Sequence, residues 1–139
     1  MKKGWNITLW IVQVLLALAF ALTGSMKLTL PASQLAPKFG STPLALIRFI
    51  GGAEIAAVVG LLLPSLTRIL PVCTPLAAIG LATVMVCAVF FHALRGEWTY
   101  LSVVLLLGGL AAFTAWGRLK RAPIQPRTQH RELGMKSNA

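Results

Sequence analysis

The chain has 139 residues, of which 57% are hydrophobic and 12% charged. A soluble domain is about 45 to 50% apolar and about 25% charged, so these proportions exclude an ordinary water-soluble fold and indicate a single membrane-embedded unit. The net charge of +10 does not imply nucleic-acid binding, because eight of the 13 Lys and Arg (Lys2, Lys3, Arg118, Lys120, Arg121, Arg127, Arg131 and Lys136) lie in the terminal segments that flank the apolar runs. Flanking cations orient a chain in a bilayer and attract anionic headgroups, and no basic surface with interleaved aromatics accompanies them.

The first apolar run extends from about Ile7 to Met26, with no ionisable group between Lys3 and Lys27. Lys2, Lys3 and the small residues Gly24 and Ser25 raise the rival reading of a signal peptide. Signal h-regions run about 7 to 15 residues, whereas this run has the roughly 20 of a spanning helix, so an uncleaved anchor is expected.

Leu28 to Pro43 then changes character, with prolines 31, 37 and 43 and the polar residues Ser33, Gln34, Lys38 and Ser41. Pro31 and Pro37 interrupt any long helix, while Leu28, Leu30, Leu35 and Phe39 keep the segment partly apolar, so it reads as a loop with at most a short interfacial turn of helix.

The second run, about Leu44 to Leu63 with Pro64 at its exit, carries Arg48 near one end and Glu54 among glycines and aliphatics. Gly52, Ala56 and Gly60 recur every four residues and read as a packing stripe that lets another helix approach. The short connection around Arg68, between Pro64 and Pro71, makes the flanking helices antiparallel neighbours. The third run, about Val72 to Ala93, ends with His92 in its last turn and Gly96 as a C-terminal cap signal. Cys73 and Cys87 fall on it 14 residues, hence about 21 Å, apart; that is too far for a disulfide, and both read as small buried apolar residues. The fourth run, about Trp98 to Trp116, leads into a basic tail with prolines, glutamines and His130, the last read as solvated.

The fold class is therefore all-α membrane, a four-helix transmembrane bundle over residues 1–121 with a disordered basic tail at 122–139. Nine Lys and Arg sit in the terminal segments and the Arg68 turn, against three (Lys27, Lys38 and Arg95) in the other two loops, which places both termini in the cytoplasm. Trp5, Trp98, Tyr100 and Trp116 fall at the expected interfaces, and Trp10 lies about a turn deeper.

In that topology Lys27, Arg48, Glu54 and His92 share the outer half of the bundle. A carboxylate inside a membrane needs a partner or a task. Arg48 and Glu54 are six residues apart, about 120° around the helix, so the partner of Glu54 is sought on other helices, with Lys27 and His92 as candidates. Arg48 is long enough to reach Glu54 or to snorkel outward to headgroups. Two roles are open to the cluster: an anchor that fixes helix register, or the lining of a small polar cavity for a proton, a quinone headgroup or another small ligand. No phosphate-cradling loop, zinc-ligand spacing, dithiol pair or supported serine nucleophile is present, so no metal or nucleotide is implied.

Thr23, Gly24 and Lys27 closing the first run, Ile50, Gly51 and Glu54 in the second, Gly60 to Pro64 at its exit, and Ala88 and His92 ending the third together resemble the DoxX-like family of small bacterial four-span membrane proteins. The resemblance covers about Phe20 to Glu97. It implies a four-helix bundle in the bacterial cytoplasmic (inner) membrane. The family takes its name from a relative associated with a thiosulfate:quinone oxidoreductase, and some other relatives are associated with redox or stress defence. The expected function is an accessory or scaffold subunit without its own redox cofactor, in contact with the lipid bilayer and with a partner subunit or further copies of itself. The alternatives are a membrane subunit of a quinone-linked oxidoreductase and a small-molecule or proton-coupled carrier. Four short spans without an inverted repeat count against the carrier.

Overall fold

The structure is a computed structural model that describes residues 2–139, with the backbone alone for Gln129 and His130. Its elements are α1 (Lys2–Thr29), α2 (Ala32–Phe39), α3 (Leu44–Thr67), α4 (Cys73–Leu94), α5 (Trp98–Trp116), a π-helical turn (Gly117–Arg121) and α6 (Arg127–Ser137). Four helices, with α5 and the π turn counted as one, are long and apolar enough to cross a membrane. The shortest has 22 residues, or about 33 Å at 1.5 Å per residue, against a hydrocarbon core of about 30 Å.

The four long helices follow one another around the bundle in the order α1, α3, α4, α5, and a looser contact between α5 and α1 closes it. Leu16, Phe20, Leu61, Ala78, Leu81 and Ala111 fill the middle. Outside, Leu18, Leu22, Phe49, Val86, Phe90 and Leu106 are exposed. A soluble monomer does not leave so continuous an apolar surface to water, and a bilayer covers it without cost. The beginning of α1 meets the π turn, so both ends of the chain emerge at the same end of the bundle.

Local departures from the expected boundaries have identifiable causes. Pro64 does not end α3, which continues to Thr67. A proline inside a helix removes its own N–H and crowds the carbonyl four residues back without stopping the turns that follow, and here the helix closes three residues later, where Arg68 adopts a left-handed backbone (φ 58°) and donates its N–H to the Pro64 carbonyl. The Leu28 to Pro43 segment is more ordered than a loop: α2 forms two turns that bury Leu35 against the bundle. Cys73 is half-buried and Cys87 exposed, so neither is the buried core residue expected, because Cys87 points away from the bundle axis. Beyond Ala122, α6 is helical with its described side chains exposed. Arg, Gln, Glu, Leu and Met are good helix formers, and Glu132 and Lys136 stand four apart on one face. The side chain of His130 lies outside the described residues.

The stripe of Gly52, Ala56 and Gly60 does not act as a unit. Gly60 approaches α4, where an added Cβ would lie 3.1 Å from Ala77 Cβ, but nothing lies within 4 Å of a Cβ at Gly52, and Ala56 is exposed. The close approach of α1 and α3 is made one residue earlier, at Gly51, where a Cβ would meet Lys27 Cβ at 2.8 Å and the Gly24 carbonyl oxygen at 3.0 Å. One residue is 100° around a helix, which separates a packed face from an open one. Gly51→Ala is therefore expected to destabilise the detergent-solubilised protein by about 1–3 kcal/mol through overpacking. Gly52→Ala should instead be neutral or stabilising by up to about 1 kcal/mol through helix propensity. Equal melting of the two variants would contradict this assignment of faces.

Candidate functional site: three polar clusters at the two ends of the bundle

The first cluster is built on the end of α1 and the middle of α3. Thr23 and Lys27 stand four apart on α1 and so share a face. The Gly24 and Gly51 contact brings that face onto Glu54, which is 1% exposed. Lys27 Nζ donates to both carboxylate oxygens of Glu54, at 2.7 and 2.8 Å, and Thr23 Oγ1 donates to Oε2 at 3.1 Å. Lys27 is 14% exposed, so the carboxylate is sealed and its ammonium partner borders the outside.

Arg48 neither reaches Glu54 nor points out to headgroups. It donates Nη1 to the Lys27 carbonyl and Nη2 to the Leu30 carbonyl, the latter at 2.6 Å. Those carbonyls lie at the C-terminal end of α1, where helices lack N–H partners and favour a positive charge. Arg48 therefore fastens α3 to the end of α1, next to the ion pair.

His92 is separate from Glu54 in its bonding. α4 ends at Leu94, and Gly96 turns the chain with a left-handed backbone (φ 68°), so that the Glu97 N–H returns to the His92 carbonyl at 3.0 Å. This turn sets Glu97 Oε2 2.6 Å from His92 Nδ1 and Oε1 2.9 Å from Arg95 Nε. A carboxylate only accepts, so Nδ1 carries the proton and donates it, and Nε2 has no partner among the described residues. The imidazole stacks on Tyr100 at 5.5 Å between centroids, and Phe91 lies edge-on to it at 5.3 Å. The cluster expected from the sequence is thus two: Lys27, Glu54 and Arg48 on α1 and α3, and His92 with Arg95 and Glu97 at the turn into α5.

The hydrogen bond from His92, then that from Arg95, holds the Glu97 carboxyl below its ordinary value of 4.5. A carboxyl lowered by folding adds stability above its unfolded value and loses it as the pH falls through the folded one. The melting difference between wild type and Glu97→Gln is thus expected to hold above pH 4.5 and to close below it. A difference that stays constant to pH 3 would show that these bonds do not form.

A third cluster, at the end of the bundle where the chain begins and the π turn lies, was not foreseen. Asn6, Trp10 and Gln13 recur at i, i+4 and i+7 and so line one face of α1. Gln13, fully buried, donates from Nε2 to the Leu61 carbonyl and to Ser65 Oγ, both at 3.0 Å, and Ser65 Oγ meets Thr74 Oγ1 at 2.9 Å. Arg118 enters from the π turn, 3% exposed. It donates Nε to Gln13 Oε1 and Nη1 to Asn6 Oδ1 and the Ala122 carbonyl, and its guanidinium lies 5.7 Å from the Trp10 ring centroid. Nη2 is buried without a partner among the described residues. A guanidinium held by neutral amides and an indole ties α1, α3 and α4 to the end of α5. Two signals for it stood in the sequence: Gln13, the one amide in the middle of an apolar run, and the Asn6, Trp10 and Gln13 spacing.

Among the described residues no three His, Cys, Asp or Glu side chains converge as a metal site would require. No curated protein and no solved structure is significantly similar to the chain. The sequence profile of the DoxX-like family matches residues 11–114, a stretch that contains all four apolar helices in large part, the Lys27 and Glu54 pair, Arg48, and the His92 and Glu97 turn. With four apolar helices and a match over most of its length, the chain is an integral membrane protein that belongs to the DoxX-like family.

Proposed function

We propose that this protein is an accessory or scaffold subunit of the bacterial inner membrane, with both termini in the cytoplasm, whose intramembrane ions fix the register of its own four helices. The observation that carries this reading is the internal pairing of Glu54: both oxygens accept hydrogen bonds from Lys27 and Thr23 of the same chain. A carboxylate so occupied holds helices together, and its lipid-facing surfaces are left to a partner subunit or another copy. Cytoplasmic termini rest on the excess of basic residues at that end. A periplasm-sensitive reporter fused at Lys38 should be active and one at Arg127 silent, and the reverse pattern inverts the orientation.

The testing experiment compares wild type with Glu54→Gln after mild solubilisation, by melting and by solvent extraction of retained quinones and lipids. A register anchor predicts a lower melting temperature with an unchanged extract. An unchanged melting temperature with loss of a retained molecule would replace it with a ligand site.

A second reading, a membrane subunit of a quinone-linked oxidoreductase, is favoured by the His92 turn. Nδ1 is fixed by Glu97, Nε2 has no partner among the described residues, and Tyr100 and Phe91 supply aromatic contacts. An imidazole so held can exchange a proton with a quinone oxygen at the membrane rim. It predicts quinone-dependent turnover with a partner supplied, lost in His92→Phe, and no turnover with any candidate partner would sink it.

A further inference from the structure

The opposite end of the bundle carries a feature that neither the ion pair nor the His92 turn uses. A groove of about 350 Å³, lined by Gly4, Trp5, Thr8 and Phe113, opens outward between α1 and α5. These are the loosest of the neighbouring long helices, and Gly4 and Thr8 are too small to fill the seam. Above it, the Arg121 guanidinium lies 5.6 Å from the Trp5 ring centroid and 5.1 Å from that of Trp116. The two indoles meet edge-on at 5.7 Å, and Phe113 packs against Trp5 at 6.0 Å.

We propose that this groove is a binding site for one anionic phospholipid, its phosphate on Arg121 and an acyl chain along Trp5 and Phe113. Indole rings settle at headgroup depth, so the guanidinium that rests on them stands where lipid phosphates lie, and the groove runs from there into the hydrocarbon. Charge selects the occupant. The π turn holds Arg118, Lys120 and Arg121 in five residues, and the first turn of α1 adds Lys2 and Lys3. Of the chain's three side-chain carboxylates, Glu54 and Glu97 are paired at the other end of the bundle and Glu132 lies on α6. Among the described residues no ion pair neutralises the π turn. A second copy of the chain would bring the same positive charge to this seam, whereas an anionic lipid supplies the missing negative charge together with an apolar chain.

The test is native mass spectrometry of the whole protein released from detergent, titrated with phosphatidylglycerol, phosphatidylcholine or inorganic phosphate. Wild type should retain one phosphatidylglycerol under conditions that strip phosphatidylcholine, with no stable adduct of inorganic phosphate. Arg121→Gln should weaken that retention about fivefold, the worth of one cation at an anionic surface. Gly4→Leu, whose new side chain meets nothing within 4 Å of its Cβ and extends into the groove without altering charge, should weaken it comparably. Lys136→Gln, which removes the same charge from α6, should leave it unchanged. Equal retention of phosphatidylcholine, inorganic phosphate bound in place of the lipid, insensitivity to Gly4→Leu, or an equal loss in Lys136→Gln would each overturn the site.

Discussion

Glu54→Ala is expected to destabilise the solubilised bundle by about 3 kcal/mol, the low end of the range for breaking a buried ion pair by removing one partner. The substitution leaves the Lys27 ammonium bordering the membrane with no carboxylate, and Thr23 with only the longer contact to the Phe20 carbonyl. Part of that cost is recoverable, because Lys27 lies in the last turn of α1 and its long stem can carry the charge outward. Lys27→Met is the harsher change. It strands a carboxylate that is 1% exposed, on the middle of a helix, with Thr23 as its remaining donor. Melting of the two variants in one detergent should therefore rank Lys27→Met at or below Glu54→Ala, and the opposite ranking would mean that Glu54 has another partner.

Gln13→Leu is expected to cost a similar amount, about 3 kcal/mol, although it removes no charge. The amide makes three bonds at once, accepting from Arg118 Nε and donating to Ser65 and the Leu61 carbonyl. Its loss leaves a guanidinium, already with Nη2 unpartnered, short of a second donor's acceptor inside the bundle. A buried polar group without a partner costs about 1–3 kcal/mol, and more when charged. Arg118→Leu should cost less, since what it abandons is the neutral oxygens of Gln13, Asn6 and Ala122. The double variant should then fall well short of the sum of the two singles, because each removes the same bond. Additive losses in thermal unfolding would place Gln13 and Arg118 in separate networks.

The bundle itself was legible because apolar length and flanking charge are one-dimensional signals: each span could be counted, and the structure moved its ends by a few residues. Pairings across helices were legible only in part. Lys27 was a candidate for Glu54 because it closes the preceding run, and depth alone was enough to match them. Depth also matched His92, but rotation about α4 and the left-handed Gly96 turn give that side chain to Glu97, and neither is written in residue spacing. The Gly52, Ala56 and Gly60 stripe meets a neighbouring helix only at Gly60, because a four-residue spacing identifies a face without saying what the face meets. Arg118 was missed because a count of basic residues groups it with the tail. The π turn adds a residue to the last coil of α5, with Ala122 N–H bonded to the Gly117 carbonyl at 2.8 Å, and Arg118 remains inside the bundle. Gln13 was missed because a neutral amide leaves no mark on charge or on the length of an apolar run, even though a membrane core obliges it to find partners.

The central claim is that the membrane-buried charges of this protein serve its own architecture, and the double variant Lys27→Met, Glu54→Leu tests it most directly. Replacing a buried pair by apolar residues of similar volume is often neutral or stabilising, whereas removing either partner alone is not. The double variant should melt within about 1 kcal/mol of wild type and well above both single variants. A double variant that melts as low as the singles, or singles that melt like wild type, would contradict it.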